Sequence, residues 1–258
     1  MELELNGKMA VVTGGSRGIG FAIAERLVKE GCSVKIVGRD AVAIDKALAS
    51  LRATASGASR VTIVGHRADM VDSKQIESVF PLLTDADILV NSAGAVPRGS
   101  LADTPAAKLR PAFDAKVMGT IDLCREVMRH MCARRDGVIV NIIGASGERP
   151  NPRSIGTSIA NAALIAFTQA VGSISVDDNV RMVGINPGLI ATERTESVRD
   201  ASNPVDAAAY RHLIKTLPFG RMGTTDEVAD MALFLASPRA SYISGAVITI
   251  DAGTRFRV

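Results

Sequence analysis

Thr13-Gly14-Gly15-Ser16-Arg17-Gly18-Ile19-Gly20 is the stretch that decides the fold, and it lies near the start of a 258-residue chain. A short apolar run, Met9–Thr13, precedes it, and Ile19, Ala22, Ile23 and Leu27 continue it as an apolar stripe of helical period. A glycine-rich turn between a strand and a helix lets the backbone approach a pyrophosphate, which then rests on the unpaired N–H groups of the helix N-terminus. Alone, such a loop says little; set between strand and helix at the head of a chain, it predicts a bound dinucleotide.

Reading outward, six more β-branched runs follow: Ser33–Val37, Val61–His66, Asp87–Asn91, Gly137–Ile143, Arg181–Asn186 and Ala246–Asp251. Ile88-Leu89-Val90 and Val138-Ile139-Val140 are continuously apolar, as strands covered on both faces are. Helical patterns separate the runs, for example the stripe Val228, Met231, Ala232 and Leu235. Strand–helix alternation of this kind predicts an α/β chain with a Rossmann-type doubly wound parallel sheet of about seven strands. Residues 1–258 read as one domain, with no repeat, linker or low-complexity tract. The rhythm breaks once, at Leu189–Pro218, a largely polar stretch after a strand end. Ligands of open α/β sheets bind there, so this stretch is expected to form a substrate lid.

Composition excludes several classes. The chain is 47% hydrophobic and 22% charged, with a net charge of +3 and acids and bases interspersed. Such a balance argues against a nucleic-acid or membrane partner, as does the scarcity of aromatics for base stacking. Cys32, Cys124 and Cys132 have no metal-ligand spacing and read as reduced thiols of a cytoplasmic protein, with no metal site. The N-terminal residues resemble no signal peptide, and no apolar run reads as long enough to span a membrane.

The form of the cofactor is read after the second strand. Dinucleotide sites for NAD place an acid there for the ribose 2′-hydroxyl; here stand Gly38 and Arg39, with Arg17 in the glycine loop. Two guanidinium groups suit a 2′-phosphate, so NADP(H) is the expected cofactor. Asp40 argues mildly the other way, since it can reach a ribose hydroxyl.

These residues resemble the short-chain dehydrogenase/reductase family along almost the whole chain, most closely in the style of 3-oxoacyl-carrier-protein reductases. Thr13-Gly14-x-x-x-Gly18-x-Gly20 resembles the family's cofactor signature. Asp69 matches its adenine contact, and Asn91-Ser92-Ala93-Gly94 resembles its Asn-Asn-Ala-Gly motif. Asn186-Pro187-Gly188 with Thr192 resembles the segment at the nicotinamide end, and Gly220-Arg221-Met222 and Asp251-Ala252-Gly253 match its C-terminal portion. The resemblance implies cofactor contacts at Gly14, Ser16, Arg17, Gly18, Ile19, Gly20, Arg39, Asp69, Asn91, Ala93, Gly94, Pro187, Gly188 and Thr192. It implies a carbonyl or alcohol substrate and a homodimer or homotetramer.

The family's catalytic Asn, Ser, Tyr and Lys are not found at the matching positions. Lys116 stands for the Asn, Gly144 for the Ser, Thr157 for the Tyr and Asn161 for the Lys, with no gap in spacing. Threonine is a far weaker acid than a phenol. The candidate catalytic residues are therefore Lys116, Thr157, Asn161 and Ser146, the last two residues beyond Gly144. Lys116 and Asn161 form a reciprocal exchange, which keeps one amine and one amide in a shared volume. Two readings stay open: an NADP(H)-dependent oxidoreductase with an atypical site, or a catalytically impaired member serving as a cofactor-binding or regulatory protein. Glu148 and Arg149 read as a solvated loop pair rather than substrate contacts. His212, beside Arg211 and near Lys215, either faces an anionic substrate or forms a solvated basic face.

Overall fold

A computed structural model describes residues 2–55, 61–193, 195 and 214–257. Its sheet has seven strands: β1 (Met9–Thr13), β2 (Ser33–Gly38), β3 (Ile63–Arg67), β4 (Ile88–Asn91), β5 (Gly137–Ile142), β6 (Val180–Pro187) and β7 (Val247–Ile250). The strand order is β3-β2-β1-β4-β5-β6-β7 and every pairing is parallel. All seven predicted strands are present, with ends moved by one or two residues.

Helices α1 (Gly18–Lys29), α2 (Ala41–Thr54), α3 (Ser73–Glu77), α4 (Phe80–Leu83), α5 (Ala106–Phe113), α6 (Gly119–Arg134), α7 (Ile155–Ile174) and α8 (Thr225–Ala236) cover the sheet. Period-two alternation divides the central strands β1, β4 and β5 between two cores. Ala10, Val12, Ile88, Val90, Val138 and Val140 face a cluster shared with α1, α2 and α8. Val11, Leu89 and Ile139 face the opposite cluster, with Leu123, Val127 and Met131 of α6. Burial on both faces explains why these strands read as unbroken apolar runs.

The expectation about membrane spans needs one correction. Ile155–Asp178 has a mean hydropathy of 1.5 over a span-like length. Its apolarity has a local cause: α7 is the crossover between the neighbouring parallel strands β5 and β6, so Ala160 and Leu164 are buried against the domain.

The order of strands reverses direction between β1 and β4. A doubly wound sheet opens its ligand crevice at that switch, outside the carboxyl ends of the strands. Thr13 ends β1 there, and its hydroxyl accepts from Ser92 N at 3.1 Å and Ala93 N at 3.2 Å, tying the two loops that flank the crevice.

Candidate active site

The glycine loop forms the first wall. Arg17 precedes α1 in an extended conformation and no side chain caps the helix, in contrast to α2 and α8, which are capped by Asp40 and Thr224. Among the described residues, the first-turn N–H groups of α1 therefore have no side-chain acceptor, which suits an anion. The loop is also drawn too tight for side chains: a Cβ on Gly14 would lie 2.8 Å from Ser92 O, and one on Gly20 would lie 2.4 Å from Gly14 O. Thr192 lies over the same helix end, with its Cγ2 3.5 Å from where a Cβ on Gly18 would stand. Thr192 is held by Thr195, whose hydroxyl accepts from Thr192 N at 2.7 Å. Thr195 is a contributor that motif matching passed over.

The adenosine side carries the expected cations in a changed setting. Ser16, Arg17, Val42, Ala43, Lys46 and Glu193 line a cavity at this mouth. Arg17 Nη2 pairs with Asp40 Oδ2 at 2.5 Å, while Asp40 Oδ1 accepts from Ala43 N at 3.2 Å and caps α2. The Asp40 carboxyl is held below its usual range, first by that backbone hydrogen bond and then by Arg17. Arg39, the residue before Asp40, is exposed, and its carbonyl accepts from Arg67 Nε at 3.2 Å. Lys46, one helical turn along from Val42, is a cation the sequence reading missed. Asp69 lies just past β3; its backbone N–H donates to Gln75 Oε1 and its carboxylate accepts from Val71 N.

One cofactor candidate points elsewhere. Asn91 is 4% exposed, and its Nδ2 donates to Asn141 Oδ1 at 2.9 Å and to Cys124 Sγ at 3.3 Å. Its side chain is committed inside the sheet, because the last residue of β4 has its side chain on the α6 side. Ala93 and Gly94 continue into the crevice, and a Cβ on Gly94 would strike the Lys116 backbone at 2.9 Å. Pro187 ends β6, and Gly188 packs so closely on Asp251 that a Cβ would lie 2.8 Å away.

Three of the four catalytic candidates meet. Lys116 sits in a π-helical turn, Asp114–Met118, between α5 and α6, a distortion common at functional sites. The residue is 7% exposed. Its Nζ donates to Asn161 Oδ1 at 2.6 Å and to Ile143 O at 3.0 Å. Asn161 Nδ2 in turn donates to Ser146 Oγ at 2.9 Å and to Gly144 O at 3.2 Å. Thr157 lies one turn before Asn161 on α7, and among the described residues its hydroxyl reaches only Val96 O, at 3.4 Å. Gly144 has φ +134°, and a Cβ there would lie 2.7 Å from Asn161 Nδ2. No other residue type adopts that backbone without strain.

Glu148 and Arg149 are exposed, as expected, but both are tethered. Glu148 accepts from Asn186 Nδ2, Thr249 Oγ1 and Arg255 Nη1, and Arg149 donates to Thr254 O. His212, Arg211 and most of the expected lid lie outside the described residues, while Lys215 is described and exposed. Cys32 and Cys124 are buried, and burial pushes both thiols up to about 12; Cys132 is only half-buried.

Comparison with known proteins follows the same outline. A family described as enoyl-(acyl carrier protein) reductase matches residues 14–255. The 3-oxoacyl-(acyl-carrier-protein) reductase FabG of Chlamydia muridarum is 34% identical over 98% of this chain and 99% of its own. Galactitol 2-dehydrogenase (L-tagatose-forming) of Cereibacter sphaeroides is 32% identical over 97% of this chain and 96% of its own. Among solved structures, L-sorbose reductase from Gluconobacter frateurii, complexed with NADPH and L-sorbose, superposes with a TM-score of 0.91 at 27% identity, with both chains fully covered. Another, a short chain dehydrogenase/reductase family protein, gives 0.84 at 31% identity over the whole of both chains. The parallel sheet, the glycine loop at its switch point and these full-length likenesses agree, and the chain belongs to the short-chain dehydrogenase/reductase family.

Proposed function

We propose that this chain is an NADP(H)-dependent oxidoreductase that interconverts a carbonyl and an alcohol through an atypical site built on Lys116, Asn161 and Ser146. The observation that carries the reading is the buried Lys116–Asn161 contact of 2.6 Å, with Lys116 packed against Gly94 of the crevice loop. The cofactor fits this chain: the tight glycine loop is the cradle for a pyrophosphate, and Arg17, Arg39 and Lys46 supply cations at the adenosine mouth. Gly14, Ser16, Gly18, Ile19 and Gly20 would hold the pyrophosphate, with Asp69 at the adenine. Ala93, Gly94, Pro187, Gly188 and Thr192 would hold the nicotinamide end. When bound, NADPH supplies the hydride.

The chain's own residues then have to manage one proton at the substrate oxygen. Ser146 Oγ accepts from Asn161 and keeps its own proton for donation. Lys116 fixes Asn161 and places a positive charge beside the site, which favours a developing alkoxide. Residues 189–218 form the substrate lid in this reading. The chain works in a reducing, cytoplasmic compartment as a homodimer or homotetramer; Met118, Ile159 and Ile174, apolar and exposed on the π-turn and α7, suit a like partner.

A second reading has its own observation. Thr157, at the position the family gives to its acid, holds among the described residues only a long hydrogen bond to Val96 O. That favours a member that binds cofactor with turnover impaired and acts as a cofactor-binding or regulatory protein. One experiment separates the two: titrate NADPH and NADH by fluorescence, then follow NADPH oxidation with a panel of ketones, sugars and 3-oxoacyl thioesters. Tight NADPH binding with measurable turnover on one class supports the oxidoreductase. Tight binding with none across the panel supports the regulatory reading. Equal affinity for the two cofactors overturns the NADP(H) assignment.

A further inference from the structure

The loop between β5 and α7 takes part in two hydrogen-bond systems that face opposite ways. Inward, Gly144 O and Ser146 Oγ hold the Asn161 amide, and Asn161 holds Lys116. Outward, the Glu148 carboxylate gathers donors from three segments. Asn186 Nδ2 reaches it at 3.0 Å from β6, Thr249 Oγ1 at 2.9 Å from β7, and Arg255 Nη1 at 2.5 Å from the turn after β7. The Arg255 and Glu148 side chains are 27% and 31% exposed, so solvent screens this pair less than an open surface pair.

The two systems join at Asn186, which is wholly buried. Its Nδ2 donates to Glu148 and its Oδ1 accepts from Gly144 N at 3.3 Å. Glu148 selects this orientation, because a flipped amide would set oxygen against carboxylate and nitrogen against N–H. Gly144 N belongs to the same planar peptide unit as Ile143 C=O. Holding that N–H therefore fixes the direction of the carbonyl that receives Lys116 Nζ at 3.0 Å.

We propose that Glu148, clamped by Arg255 and Thr249, is a positioning residue for Lys116, acting through the Asn186 amide and the Ile143–Gly144 peptide. It rests on the reading of Lys116 as the site amine. Segment 251–257, far from the glycine loop in sequence, thereby sets the geometry of the catalytic side.

The test reads the Lys116 amine itself. The full-length protein is pulsed with a lysine-acylating reagent across a pH series, and each lysine is quantified by mass spectrometry. In the unaltered protein Lys116 reacts far more slowly than the exposed Lys46 and Lys74. Glu148→Ala should raise the Lys116 rate several-fold and move the pH midpoint of its labelling, with Lys46 and Lys74 unchanged. Arg255→Ala should do so more weakly, and the double variant should do no more than Glu148→Ala alone. Glu148→Gln keeps an acceptor for Asn186 and should restore slow labelling. Unchanged Lys116 labelling in Glu148→Ala overturns the proposal, even with a fall in Tm, since the network is then only a strap. Faster labelling at all lysines together overturns it too. If Lys116→Met leaves turnover and ligand binding intact while Glu148→Ala still unmasks Lys116, the catalytic reading fails and the positioning stands.

Discussion

Lys116 Nζ and Asn161 Oδ1 stand 2.6 Å apart, although the residues are 45 positions apart in sequence. The amine comes from the π-turn before α6 and the amide from α7, so the contact fastens two elements at the crevice. On the proposed reading it keeps one amine and one amide in the volume where the resembled family pattern has the same pair in exchanged places.

Lys116→Met should act on the nicotinamide side alone. Removing a positioned acid–base or charge-stabilising group typically lowers turnover by about 10²–10⁴-fold. NADPH affinity should change little, because Arg17, Arg39 and Lys46 lie on the adenosine side. Steady-state kinetics with a parallel fluorescence titration checks this. Loss of cofactor binding in proportion to loss of turnover would show a folding defect instead.

Cofactor choice should respond to Asp40 as well as to the arginines. Asp40 Oδ2 already occupies Arg17, while Oδ1 caps α2. Asp40→Asn keeps an acceptor for the cap and removes the competing charge. NADPH should then bind about threefold to tenfold tighter, with NADH unchanged, an effect that fades with added salt. Arg39→Asp should move NADPH affinity the other way. Calorimetric titration of both cofactors at two ionic strengths decides the matter.

The fold was legible because period and punctuation agree along the chain. Met9–Thr13, the glycine loop and the Ile19–Leu27 stripe each predict the element that the structure shows. A motif match names Asn91 without saying which face of the strand its side chain occupies; that side chain turns toward Cys124 and Asn141. Glu148 was undervalued because its partners, Asn186, Thr249 and Arg255, come from segments that only the tertiary fold assembles. The Lys116–Asn161 contact was visible as an exchange of residue types, whereas the Ile143 carbonyl that shares Lys116 was not, since backbone acceptors leave no trace in residue identity.

The capping box of α8 should persist in mild acid and fail only near pH 2. Arg221 bonding, with the Thr224 backbone, holds the Glu227 carboxyl down to about 2 from an ordinary 4.5. A depressed carboxyl stabilises the fold above its ordinary value and loses that contribution as pH falls through the folded one. Glu227→Gln should thus be less stable by about 0.5 kcal/mol near neutrality, a figure kept small because the pair is exposed. The difference should shrink below pH 4.5 and vanish near pH 2. Urea midpoints of both proteins at several pH values measure it, and a constant difference down to pH 2 would contradict the assignment.

Reversing the exchange should succeed only as a pair. Asn161→Lys alone brings a second ammonium to a position that is 2% exposed and in contact with Lys116. Like charges disfavour one another there, at a cost of about 3 kcal/mol or more. Lys116→Asn alone leaves Ile143 O and Asn161 Oδ1 short of a donor, at a cost of about 1–3 kcal/mol. Joined, the two changes remove the repulsion and return an amine to the amide. The double variant should therefore be more stable than the sum predicts, with a coupling of about 2 kcal/mol or more. Urea unfolding of the four proteins in the cycle measures that coupling, and simple additivity would show that the two side chains do not depend on each other. Turnover should still be slow in the double variant, and Thr157→Tyr is the addition expected to raise it, since only that change supplies a phenol. Gly144→Ser should not help: φ of +134° remains even when Asn161 is replaced, and a side chain there costs about 1–3 kcal/mol in strain. A site that accepts the first three substitutions and rejects the fourth would place the divergence of this loop in its backbone, at Gly144, rather than in its side chains.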